Sequence, residues 1–224
     1  MERLKEKLEQ YKHFSILTYY IVIFSLYNIY EKLITVPKYY MYSRLDDYIP
    51  FVKEMVIPYL FWYIYIIIAL IYLGFTSKKD FYDFTIFMFS GMTICFIIYA
   101  IFPNGQNLRP AIKGTDIFSR MVYFIYTTDT PTNCAPSMHV LDSVAVHIAL
   151  SKCEALKNKF WVKFASFITM VLIIMSTVML KQHSILDVIY GIILSLLLYI
   201  IIYKFNITQH ILPADALEHS SNSL

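Results

Sequence analysis

Three short stretches carry residue types suited to phosphate chemistry: Leu108-Arg109-Pro110, Pro136-Ser137-Met138-His139 and His183-Ser184-Ile185-Leu186-Asp187. His183 and Asp187 are four residues apart, which puts both on one face of a helix. A carboxylate there can accept the proton of one ring nitrogen and leave the other nitrogen's lone pair pointing outward. A nucleophilic or basic histidine needs that arrangement. In the second stretch, Pro136 suits the first turn of a helix. The backbone N–H groups of Ser137, Met138 and His139 then have no partner inside the helix, and together with the helix dipole they form an anion seat. Ser137 adds a hydroxyl, and His139 could hand a proton to a departing oxygen. Arg109 is a fixed cation whose planar fork matches phosphate oxygens, and Lys181, two residues before His183, could reach the same anion. Each feature alone also has a plain structural reading: a His–Asp pair at a helix start, an interfacial histidine, a cation near lipid headgroups.

These residues must be positioned by membrane helices. Of 224 residues, 58% are hydrophobic and only 16% charged, a balance too apolar for a soluble domain of this size. The formal net charge of +3 gives no basic stripe for nucleic acid. The 20 tyrosines crowd the ends of the apolar runs, where amphipathic rings settle at a membrane interface. Three cysteines, Cys95, Cys134 and Cys153, form no zinc-site spacing and no disulfide framework.

Six apolar runs are legible, at residues 14–30, 51–75, 81–102, 136–150, 160–180 and 185–203. Most approach the ~20 apolar residues a bilayer crossing needs, and backbone satisfaction in lipid excludes an open sheet. The sequence therefore predicts an all-α, polytopic membrane protein with six transmembrane helices in one bundle. Residues 1–13 read as a cytoplasmic amphipathic segment, 14–205 as the membrane domain and 206–224 as a flexible polar cytoplasmic tail. A short interfacial helix is expected over 117–125. Asp142 and His147 fall inside the fourth run, where ionisable groups tend to face a cavity or a partner. Asp142, three residues after His139, shares its face.

Six crossings divide the basic residues unevenly. The N-terminus, the Lys78-Lys79 turn, the 151–159 turn with Lys163, and Lys204 place eleven on one side, and the remaining eight fall on the other. The positive-inside bias puts both termini in the cytoplasm. Arg109 and His139 share the third loop, and two crossings separate His139 from His183, so all three stretches reach the extracytoplasmic face of a cell membrane.

Together these residues resemble the type 2 phosphatidic acid phosphatase superfamily, which includes the vanadium haloperoxidases. Its pattern is KxxxxxxRP, PSxH and SRxxxxxHxxxD. The second block stands here as Pro136-Ser137-Met138-His139 and the third as Ser176-Thr177 with His183 and Asp187, while the first survives only as Arg109-Pro110. Phe102 occupies the position of the family lysine and Thr177 that of the family arginine. Met138 and the neutral third block are similar to the inositol-phosphorylceramide-synthase-like branch, whose members transfer a phospho-headgroup to an alcohol.

The resemblance implies a metal-independent membrane hydrolase without cofactors, acting on a lipid phosphate monoester or pyrophosphate. His183 would be the nucleophile, Asp187 its orienting group and His139 the proton donor. Arg109, Ser137, Met138 and Lys181 would hold the phosphate. Three alternatives stay open: a phosphotransferase with an alcohol acceptor, a metal-dependent hydrolase with His139, Asp142, His183 and Asp187 as ligands, and a non-catalytic lipid-binding protein.

Overall fold

The chain enters its bundle through a 3-10 turn, Lys12–Thr18, that runs without a break into α1 (Tyr19–Leu33). This computed structural model describes residues 10–212. Most of the expected 1–13 segment, and the 206–224 tail beyond residue 212, lie outside the described residues. After α1 come β1 (Tyr39–Tyr40), a short α2 (Leu45–Tyr48), α3 (Val56–Thr76), α4 (Lys78–Ile101), β2 (Asn104–Gly105), α5 (Ile117–Thr128), α6 (Met138–Lys152), α7 (Phe160–Met179), α8 (Ile185–Tyr199) and α9 (Ile207–Ile211). A π-helical stretch, Ile200–Lys204, extends α8.

Among the described residues, four helical segments are long and apolar enough to cross a membrane: Lys53–Thr76, Lys78–Ile101, Phe160–Met179 and Ile185–Lys204. The other two expected spans, α1 and α6, have 15 residues each. A helix, α5, covers the residues of the expected interfacial helix, and Asp116 caps it by accepting the Ser119 N–H at 3.2 Å. Lys53 and the Ser119 bonds hold the Asp116 carboxyl well below its ordinary range.

Local chemistry sets the helix starts. Ser77 caps α4 by accepting the Asp80 N–H, and Ser184 and Asp187 form a capping box on α8. A Cβ on Gly91 would sit 2.5 Å from Leu141, so glycine there lets α4 press against α6. Helix α6 lies innermost, packed by α3, α4, α7 and α8, with Val140, Leu141, Asp142, Ser143, Ala145 and Val146 all buried. The outward faces of α3, α7 and α8 are apolar: Ile64, Ile68, Phe164, Phe167, Ile193 and Leu197 are all exposed. That pattern is inverted relative to a water-soluble bundle and suits contact with lipid chains.

One feature departs from the all-α expectation. The loops after α1 and α4 pair as a two-residue parallel ladder, Tyr39 with Asn104 and Tyr40 with Gly105. Both strands lie outside the apolar runs, where loop backbone can pair without presenting an open edge to lipid. The ladder fixes the start of the loop that carries Arg109 and leads to Ser137.

Candidate active site

The loop before α6 is built on Asn104. Its side-chain oxygen accepts the N–H groups of Cys134 at 2.9 Å and Ala135 at 2.7 Å, and its amide donates to the Ala135 carbonyl at 2.8 Å. The Tyr99 hydroxyl donates to the Pro136 carbonyl at 2.7 Å, and the Ala135–Pro136 bond is cis. Ser137 then takes the N-cap position of α6, yet its fully buried hydroxyl makes no cap bond and has no partner. Its N–H donates to the Asp187 carbonyl at 3.1 Å, joining the start of α6 to the start of α8. A Cβ on Gly191 would come 3.0 Å from the Ser137 carbonyl oxygen, so glycine permits this approach.

The start of α8 is held from both sides. Asp187 Oδ2 accepts the Ser184 N–H at 2.9 Å and lies 3.2 Å from His183 Nδ1. Asp46, from α2, accepts the Ser184 hydroxyl at 2.6 Å and the Ile185 N–H at 2.8 Å. The orienting pair expected from the four-residue spacing is therefore formed, and Nε2 of His183 is the nitrogen left for chemistry. His183 is 8% exposed and lines a cavity.

His139 faces His183 across 5.6 Å between ring centroids, in an edge-to-face arrangement. It lies between Tyr59 and Trp62 of α3, at 4.5 and 4.4 Å. Its Nε2 has no hydrogen-bond partner.

Arg109 reaches the same place from the loop. It donates to the carbonyls of Asp129 at 2.8 Å and Tyr126 at 3.2 Å and to the Gln182 side-chain oxygen, and its guanidinium lies 4.6 Å over the Tyr126 ring. Burial raises the Tyr126 hydroxyl to about 12, with Arg109 opposing the shift. Arg109 Nε and Gln182 Nε2 are buried without acceptors. With Ser137 Oγ and His139 Nε2 they make four unpartnered polar groups, each able to donate, three of them from the first two stretches and the fourth, Gln182, next to His183. Buried donors of this kind call for an acceptor.

One expected phosphate ligand, Lys181, is corrected by the structure. Lys181 does not turn toward the two histidines. Its backbone has φ +53°, and its ammonium donates to the carbonyls of Asp46 at 2.7 Å and Ile49 at 2.6 Å. It works as a strut at the end of α2, where carbonyls lack helical partners and welcome a cation. Asp142 makes no hydrogen bond to His139, and both its carboxylate oxygens are buried and unpartnered. His147 lies within 3.1 Å of Ser166 Oγ, in a polar contact that also includes the Tyr65 hydroxyl. Phe102 stacks on Tyr39 at 4.0 Å, and Thr177 supplies the carbonyl that accepts the N–H groups of Gln182 and His183. Neither Phe102 nor Thr177 brings a positive charge to the site.

Spacing did not reveal Gln182, Asp46, Asn104, Tyr59 or Trp62. Their roles depend on partners from other stretches, and only the adjacency of Gln182 to His183 was visible.

The cavity beside the histidines has a volume of about 480 Å³, within the range of small-molecule sites. Met138 and Cys134 line it, as do Glu31 and Asp129. Tyr27 and Tyr59 donate to Asp129 at 3.3 and 3.4 Å, and Thr130 donates to Glu31 at 2.6 Å. Burial pushes the Asp129 carboxyl up, with Arg109 opposing, and burial also pushes the Cys134 thiol well up. All three cysteines are free. Donor atoms of Cys134, His183 and Asp187 lie within 4.8 Å of one another and could hold a small cation. That set differs from the four-residue one considered from the sequence. It also includes a thiol that burial holds protonated.

No family model, curated protein or solved structure matches the chain.

Proposed function

We propose that the chain is an integral membrane lipid phosphatase that hydrolyses a lipid phosphate through a phosphohistidine at the extracytoplasmic face. One observation carries the reading. His183 is oriented by Asp187 at 3.2 Å and faces His139, and its neighbours Gln182 and Asp187 are bonded to Arg109 and Ser137, which with Gln182 carry unpartnered polar groups.

His183 Nε2 attacks phosphorus as the bond to the lipid oxygen breaks, and His139 gives that oxygen its proton. Water then attacks phosphorus, His139 takes the proton, and the P–N bond breaks. Asp187 holds the imidazolium that exists between these steps. Arg109, Gln182 and Ser137 hold the equatorial oxygens, where charge gathers in phosphoryl transfer. Met138 adds only a first-turn backbone N–H.

In this reading the bundle crosses the membrane six times. Helix α1, continued by its 3-10 turn, covers 12–33, and α6 is short because other helices surround it. Both termini are cytoplasmic.

A second reading has an observation in its favour. Glu31 and Asp129 line the cavity, and no lysine or arginine does among the described residues. A phosphodiester carries less charge than a monoester and needs fewer cations. A phosphotransferase using the same histidines with an alcohol acceptor fits that lining.

The test is turnover of a panel of lipid phosphates by the purified protein, with His183→Ala as control. Free phosphate or, in the second reading, a new phosphodiester lipid is expected, with loss of at least about 10³-fold in the variant. Full activity in His183→Ala would remove the mechanism. Activity that survives chelation and falls with vanadate supports phosphohistidine over metal chemistry, and the reverse pattern supports the metal.

A further inference from the structure

The cavity beside His183 has a lining that a plain phosphate does not explain. Two acids face it, and ten of its 24 lining residues are Phe, Tyr or Trp. Neither Glu31 nor Asp129 has an ion-pair partner among the described residues. Arg109, whose charge reaches Asp129, gives its hydrogen bonds to carbonyls and to Gln182. Unpaired carboxylates beside a phosphoryl site would repel the substrate's anion unless the substrate also brought a cation.

Both acids already accept hydrogen bonds at each oxygen, Asp129 from Tyr27 and Tyr59 and Glu31 from Thr130 and Asn133. The cation that best fits therefore adds charge without needing acceptors of its own. A quaternary ammonium has that property, and aromatic faces with nearby negative charge are the surroundings that recognise it. Tyr20, Tyr27, Tyr59, Trp62 and Tyr63 all line the cavity.

We infer that the cavity holds the quaternary ammonium of a phosphocholine-type headgroup, with Glu31 and Asp129 as its counter-charges and the tyrosines as its walls. The inference rests on the phosphohistidine reading and selects a phosphodiester substrate within it. The bond made is still His183 Nε2 to phosphorus, and the bond broken is still to the lipid alcohol, which takes the His139 proton. The headgroup stays on phosphorus throughout, and the P–N bond breaks when water or an alcohol replaces the imidazole.

The test uses the full chain reconstituted in vesicles, with phosphatidylcholine, phosphatidylethanolamine and phosphatidic acid as competing substrates. Glu31→Gln and Asp129→Asn are compared with the parent and with His183→Ala. The expected result is preference for phosphatidylcholine, with the ratio of its kcat/KM to that of phosphatidic acid falling about tenfold in either variant, the equivalent of ~1.4 kcal/mol. A binding readout avoids dependence on turnover. In a Trp161→Phe background, tetramethylammonium should change the fluorescence of Trp62, and Glu31→Gln should weaken that response. Turnover of phosphatidic acid that needs His183, without use of phosphatidylcholine and without a tetramethylammonium response, would overturn the headgroup assignment and leave the phosphohistidine standing. Phosphatidylcholine turnover that persists in His183→Ala would overturn the mechanism beneath both.

Discussion

At the residue scale, the site combines an oriented histidine with acids that work against its stability. Asp129 is the clearest case, because burial raises its carboxyl above the ordinary value of ~3.9. A raised folded-state value favours the protonated acid. Its contribution to stability is therefore fully present below the unfolded value and is lost as pH rises through the folded one. Asn cannot ionise and escapes that loss. Asp129→Asn should melt at the same temperature as the parent near pH 4 and at a higher temperature at pH 7 to 8, as followed by thermal denaturation in detergent. A variant less stable at neutral pH would show that the Tyr27 and Tyr59 bonds to the carboxylate outweigh its burial. Polar groups kept at such a cost are characteristic of functional sites.

At the scale of elements, the site exists because α6 and α8 start side by side. The contact is narrow: the Ser137 N–H meets the Asp187 carbonyl at 3.1 Å, and Gly191 lies where a larger residue would strike the Ser137 carbonyl and Val140. Gly191→Leu should destabilise the bundle by about 1–3 kcal/mol, as overpacking does. It should also lower turnover by moving Ser137 and His139 away from His183. Unchanged activity would mean that the two helix starts need not touch. The same contact shows what sequence could reveal. His183 and Asp187 belong to one helix, so their pairing follows from helical period alone. The anchors of Ser184 and Ile185 on Asp46 span more than 130 residues, and no period predicts them. Lys181 was misjudged for a related reason. Two residues from His183, it looked like part of the anion site, but its left-handed backbone directs the ammonium to α2. The apolar runs were legible because lipid-facing helices are continuous in sequence. The aromatic sandwich around His139 was not, since Tyr59 and Trp62 read as ordinary members of an apolar run.

At the scale of the whole molecule, the account needs α6 to span the membrane although it has only 15 residues. At ~1.5 Å per residue it is about 22 Å long, short of the ~30 Å hydrocarbon core. Its position inside a ring of longer helices removes the need to match lipid thickness, because its ends meet protein. The exposed residues Thr115, before α6, and Asn158, after it, report on this crossing. Thr115→Cys should react with an impermeant maleimide on intact cells, and Asn158→Cys only after permeabilisation. Labelling of both from one side would contradict the crossing.

The central claim is a covalent bond between phosphorus and His183, and rapid quenching tests it most directly. Purified protein is mixed with lipid substrate radiolabelled at phosphorus and quenched in denaturant at alkaline pH, and the labelled peptide is identified. The account predicts label on the peptide carrying His183, lost on mild acid treatment, absent in His183→Ala and retained in Glu31→Gln. Turnover in the parent with no label trapped at any time, or label undiminished in His183→Ala, would contradict it.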